Sequence, residues 1–158
     1  MNDHRLGNKK IDFDGIAGIK PIDSAYADVL QAWGDHFLIE HIPEVVLKSG
    51  RVIKAKTVLH FPDLGLVAIF ETSDLLQPDT PVKVAGAEKG CHLQTPTGLH
   101  VGMRQQEALC LTAEYYQIAD TCSGFTICHP LSALTTHTEL GLLYENDLVS
   151  FIGLYQQK

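Results

Sequence analysis

The chain has 158 residues and a formal net charge of −7, with 12 basic against 19 acidic side chains. This acidic balance argues against a general nucleic-acid binder, which needs Lys and Arg in excess to neutralise phosphates. Hydrophobic residues make up 45% of the chain, as in ordinary globular proteins, which argues against wholesale disorder.

The first ten residues are polar and lack the apolar stretch of a signal peptide. No run of about eighteen apolar residues occurs that would span a membrane. We therefore expect a cytoplasmic protein that does not contact a membrane. In a reducing cytosol the cysteines are expected to be free thiols, namely Cys91, Cys110, Cys122 and Cys128.

The first part of the chain contains one well-marked helix. Residues 1–17 are predicted to form an N-terminal arm and a short edge strand, in which residues 11–14 alternate apolar and acidic. Apolar residues then recur at i, i+3, i+4 and i+7, which predicts a helix of about ten residues with the stripe Tyr26, Val29, Leu30 and Trp33. Asp23 or Ser24 is expected to cap its start and Gly34 to end it. Tyr26 and Trp33 are interpreted as core residues.

Strands are predicted to follow this helix, at residues 37–40, 45–47, 52–60, 64–70 and 82–85. Residues 48–51 form a hairpin-type turn with Gly50 at the position that favours positive φ. Lys54 and Lys56 lie on one face of the alternating third strand and are expected to face water. Residues 71–81 are predicted to form a long acidic loop, and residues 86–97 a linker.

The second half of the sequence echoes the first. Residues 98–116 resemble residues 18–35, and Leu140-Gly141-Leu142 echoes Leu64-Gly65-Leu66. After a helix between residues 103 and 116, strands are predicted at residues 125–128, 140–144 and 148–155, with Asn146-Asp147 as a tight turn. We therefore predict an α+β fold in which two tandem helix-plus-antiparallel-sheet repeats, residues 18–97 and 98–158, form one compact domain.

The helix entries resemble those of the tandem-repeat β-lactamase inhibitory protein and of small outer-membrane lipoproteins of the SmpA/OmlA type. Residues 101–109, with the sequence VGMRQQEAL, carry most of the resemblance, which covers about a third of the chain. The resemblance implies an α+β fold that presents one sheet face and its loops to another protein.

No pattern in the sequence spells out a catalytic or cofactor site. Cys122, Cys128 and His129 form the tightest metal-type cluster, with Cys91-His92 elsewhere, but adjacent strand residues point to opposite faces and cannot share one ion. A nucleophilic Cys122 is weakly supported, because only His129 lies nearby in sequence. Phosphate- and dinucleotide-binding glycine motifs are absent, so no metal, cofactor or catalytic residue is predicted.

Three classes of function remain open. The first is a non-catalytic protein-binding module, such as an inhibitor or immunity-type protein that neutralises a basic enzyme. The second is a small-ligand-binding protein that uses the concave sheet face, and the third is an enzyme with unrecognised residues. For the first class, acidic loops are expected to contact the basic partner, through Glu71, Asp74, Asp79, Glu145 and Asp147.

Overall fold

The computed structural model describes residues 10–121, 124–131 and 137–156. Its helices are α1 (Tyr26–Trp33) and α2 (Gln105–Thr112), and neither is long and apolar enough to cross a membrane. The strands are β1 (Leu38–Ile42), β2 (Val45–Val46), β3 (Val52–Ile53), β4 (Lys56–Phe61), β5 (Leu66–Phe70), β6 (Val84–Glu88), β7 (Tyr116–Thr121), β8 (Phe125–Pro130), β9 (Thr138–Glu145) and β10 (Leu148–Gln156).

Eight of these strands form a single antiparallel sheet in the order β1-β4-β5-β6-β10-β9-β8-β7. The first four in this order come from residues 38–88 and the last four from residues 116–156, which correspond to the two predicted repeats. The two sets meet where β6 pairs with β10, with Gly86 opposite Gly153. Neither half therefore has a sheet of its own, because hydrogen bonds run without interruption across the junction.

The predicted α+β class with two helix-plus-sheet repeats is wrong. Strands account for 43% of the structure and helices for 11%, so the protein is mostly β. The Leu-Gly-Leu echo also falls in unlike places. Leu64 and Gly65 lie in the turn before β5, where Gly65 has φ +67°, whereas Gly141 lies inside β9. The two Leu-Gly-Leu segments therefore have similar sequences but different backbone conformations.

The structure confirms the first predicted helix and corrects its cap. In α1, Val29 and Trp33 are buried, and Gly34 ends the helix with φ +90°. The N-cap is Ala25, whose N–H donates to the Asp28 carboxylate at 2.8 Å. Ser24, predicted as a cap, instead accepts a hydrogen bond from the backbone N–H of Lys20.

Both helices lie on one face of the sheet, which we call the inner face. The Trp33 ring meets Phe61 of β4 edge-on, with 5.3 Å between ring centroids. At the other end of the sheet, α2 residue Leu111 and strand residues Leu140 and Leu154 line one small cavity. The segment before α1 completes this core with fully buried isoleucines, namely Ile11, Ile16 and Ile19. It makes isolated bridges instead of the predicted edge strand.

The β1–β4 hairpin extends beyond the sheet as a two-stranded ribbon. Ile42 pairs with Lys56 at the end of the β1–β4 ladder, and Val45 pairs with Ile53 in β2–β3, so the register is unchanged. The ribbon ends in the predicted turn, where Gly50 has φ +87°. We call residues 42–56 the basic ribbon. All of its residues up to Lys54 are exposed.

Candidate functional site

The face of the sheet opposite the helices, the outer face, carries an apolar groove. Successive side chains along each strand point to opposite faces of the sheet, so the residues that do not face the helices collect here. The groove spans β5, β6, β10, β9 and β8 and has a volume of about 300 Å³. We define the groove by its large apolar residues, Ile69, Val84, Phe125, Ile127, Leu143, Phe151 and Tyr155.

A row of glycines forms the floor at the centre of the groove. Gly86, Gly153 and Gly141 lie directly opposite one another on three adjacent strands. The Phe151 ring lies over this row, because a Cβ atom at Gly86 or Gly153 would stand 2.4 or 2.6 Å from the nearest ring carbon. The glycines therefore let the aromatic ring lie against the backbone, where it forms part of the groove surface.

A histidine between two glutamates borders the groove on the β4 side. His60 Nε2 is 3.0 Å from a carboxylate oxygen of Glu40, and His60 Nδ1 is 3.0 Å from one of Glu88. Partial burial acts to lower the pKa of His60, but the hydrogen bonds and negative charges of both glutamates outweigh it. The pKa of His60 is therefore raised above its ordinary value.

A second histidine–carboxylate pair lies on the β8 and β9 side. His129 Nδ1 contacts the Glu139 carboxylate, which is almost fully buried. Tyr155 stands opposite Glu139 on β10. Burial raises the pKa of the Tyr155 hydroxyl most, and the charge of Glu139 and, to a smaller extent, Cys128 raise it further. The groove thus has an apolar centre with carboxylates at two of its sides.

The histidines beside the groove are paired with carboxylates. His60 and His129 both contact carboxylates in the described residues, and neither bonds a hydroxyl or thiol that it would activate. Burial and the charge of Glu139 raise the pKa of Cys128 to about 12, so its thiol stays protonated. Within the described ranges no three His, Cys, Asp or Glu side chains are grouped to hold a metal ion.

The cysteine and histidine candidates from the sequence lie apart. Cys128 is fully buried on the inner face, whereas its neighbour His129 lies on the outer face, as strand alternation requires. Cys91 is buried and His92 is exposed. Cys91, Cys110 and Cys128 are free thiols, and Cys122 lies outside the described residues.

The predicted partner-binding residues fall into two groups at opposite ends of the strands. Three antiparallel steps separate β5 from β9, so these strands run in opposite directions. Glu71, Asp74 and Asp79 follow β5 at one end, while Glu145 ends β9 and Asp147 lies in the β9–β10 turn at the other. The structure therefore does not bring the five residues together. Glu71 also pairs with Lys54 of the basic ribbon at 3.7 Å.

Sequence reasoning missed the groove and the exposure of the basic ribbon. The groove residues come from five strands, and their alternation gives no sign of which strands are neighbours. The alternation of residues 52–60 predicts a strand with exposed lysines, but it does not indicate that the apolar residues of the ribbon are exposed as well. They are exposed because no other described element packs against this two-stranded ribbon.

Comparison of the chain with protein-family models, curated proteins and solved structures gives no match. The interpretation of the site therefore rests on its own geometry and chemistry.

Proposed function

We propose that this is a non-catalytic cytoplasmic protein that binds another protein through the groove on the outer face. The observation that supports this most is an apolar surface that no described helix or loop covers. Leu143 in the groove is 48% exposed although it lies on an interior strand of the sheet. Contiguous exposed apolar surface of this kind marks interaction sites on folded proteins.

The shape of the groove favours a macromolecular partner over a small ligand. Small-molecule sites enclose most of the ligand surface in a concave pocket. This groove has a volume of about 300 Å³ and lies open along the sheet. An apolar centre with a polar rim is the arrangement found in protein–protein interfaces.

The charges around the groove favour a basic partner. Glu40 and Glu88 lie on one side and Glu139 on the other, and the whole chain carries a net charge of −7. Complementary charge speeds encounter and suppresses wrong partners. In its most specific form, the proposal is an inhibitor or immunity-type protein that masks a basic enzyme.

The proposal is tested by affinity capture from the native host with matched leucine variants. Leu143→Glu places a charge in the groove, whereas Leu75→Glu makes the same change at a loop residue that is 85% exposed. We expect a protein that is retained by the wild-type chain and by Leu75→Glu but lost with Leu143→Glu. Equal retention by all three proteins, with unchanged circular dichroism, would remove the groove from the binding surface.

A further inference from the structure

The basic ribbon exposes more large apolar side chains than any other part of the described chain. Thirteen large hydrophobic residues are exposed in the described ranges, and six lie in the ribbon, namely Ile42, Val45, Val46, Leu47, Val52 and Ile53. Leu38 and Ile39 of β1, which come just before it, are also exposed. This is one contiguous apolar feature that projects from the edge of the sheet.

A ribbon of this kind gains little stability by itself. A two-stranded hairpin without a further strand or helix against it is at best marginally stable in water. Val46 is 64% exposed and stands opposite Val52, which is also exposed, so this cross-strand pair lacks cover from the rest of the described chain. The composition of the ribbon therefore points to a surface on another molecule.

The charge of the ribbon shows what kind of surface would fit. Residues 42–56 contain four basic residues, Lys48, Arg51, Lys54 and Lys56, against Glu44 alone, which gives a net charge of +3. Since the whole chain carries −7, the remainder carries −10. The ribbon is thus basic and apolar, while the groove is apolar and bordered by carboxylates.

The dimensions of the two features also agree. From residue 43 to the tip of the turn at residue 49, the ribbon extends at most about 20 Å, at about 3.3 Å per residue. The groove crosses five strands, or about 19 Å at a strand spacing of about 4.8 Å. The length of the ribbon is therefore similar to the width of the groove.

We propose that the basic ribbon of one copy of this chain lies in the groove of a second copy, and that the ribbon of the second copy lies in the groove of the first. This inference rests on the binding role of the groove proposed above and names one occupant of it. An isologous dimer of this kind is closed, so it does not propagate into filaments. A partner protein that uses the groove then competes with the ribbon.

The test is sedimentation velocity of the full-length chain over a wide range of concentrations, with two variants and one control. Val46→Glu/Val52→Lys removes apolar surface from the ribbon but keeps its net charge, and the new side chains form an opposite-charge cross-strand pair. Leu143→Glu alters the groove, and Leu75→Glu is the matched control. Circular dichroism and thermal unfolding establish that each variant is folded.

We expect the wild-type chain and Leu75→Glu to dimerise, with weaker association at high salt. Each of the other two variants should raise the dimer dissociation constant at least about tenfold. An equimolar mixture of the two variants should associate more tightly than either variant alone, because one of the two ribbon–groove contacts in the mixed dimer is intact.

Three results would overturn the inference. A monomeric wild-type chain excludes the exchange, and a Leu143→Glu variant that dimerises normally excludes the groove from the dimer interface. A mixture that associates no more tightly than either variant alone contradicts the ribbon–groove contact. None of these results depends on the external partner. Equal retention of the external partner by the wild-type chain, Leu143→Glu and Leu75→Glu, together with a dimer that Leu143→Glu disrupts, would overturn the proposed function alone.

Discussion

Replacing Trp33 by alanine tests whether α1 is packed on the inner face of the sheet, which is what leaves the outer face open. Trp33 is fully buried, meets Phe61 edge-on at 5.3 Å, and its Nε1–H donates to the Ala17 carbonyl at 3.2 Å. Loss of a buried tryptophan costs about 3–5 kcal/mol of unfolding free energy. Trp33→Phe keeps an aromatic ring but removes the donor, and should cost about 1–3 kcal/mol.

The assay is urea denaturation followed by circular dichroism. With a denaturant slope of about 2 kcal/mol per molar, the Trp33→Ala midpoint should fall by roughly 1.5–2.5 M. Leu75→Ala, at an exposed loop position, should change the free energy by less than about 0.5 kcal/mol. An unchanged midpoint for Trp33→Ala would place this side chain in solvent and refute the assignment of inner and outer faces.

Three further predictions concern charge and thiols. His60→Gln should lower stability below the unfolded histidine pKa, and the difference should fade as pH rises through the raised folded pKa, because the charged histidine pairs with Glu40 and Glu88. Unfolding curves on either side of neutrality check this, and a difference that grows with pH would contradict it. Charge reversal of Asp74 with Asp79, and separately of Glu145 with Asp147, should change the partner association rate unequally, since the two groups lie at opposite ends of the strands. Equal effects in stopped-flow experiments would argue that the partner spans both ends. Thiol titration should find four thiols after unfolding, whereas in the folded protein Cys110 should react before the buried Cys91 and Cys128. Fewer than four thiols in the unfolded, non-reduced protein would indicate a disulfide.

Local signals in the sequence predicted the elements that short-range physics determines. The apolar stripe and Gly34 predicted α1, and Asn146-Asp147 predicted the β9–β10 turn, where both residues have positive φ. These features depend on backbone preferences within a few residues. The continuous run at residues 64–70 likewise predicted a buried strand, which the structure confirms as β5.

Features that depend on distant pairing were not predictable in the same way. The helix expected to reach Tyr116 ends at Thr112, and Tyr116 begins β7, which the sequence analysis did not predict. Tyr116 faces the core because β8 pairs with it, a contact that no local pattern encodes. The groove likewise depends on the register that places Gly86, Gly153 and Gly141 in one row. Neither the charge of the acidic loops nor the Leu-Gly-Leu echo that precedes them indicated the end of the sheet at which each loop lies.

The most direct test of the binding role of the groove is site-specific photo-cross-linking in the native host. A benzophenone amino acid replaces Phe125, a groove residue, in one variant and Leu75, the exposed loop residue, in the control. The account predicts that irradiation yields a protein adduct from position 125 and not from position 75, with mass spectrometry identifying a second copy or a distinct partner. Adducts from position 75 alone, with a folded and unreacted variant at position 125, would contradict the central claim.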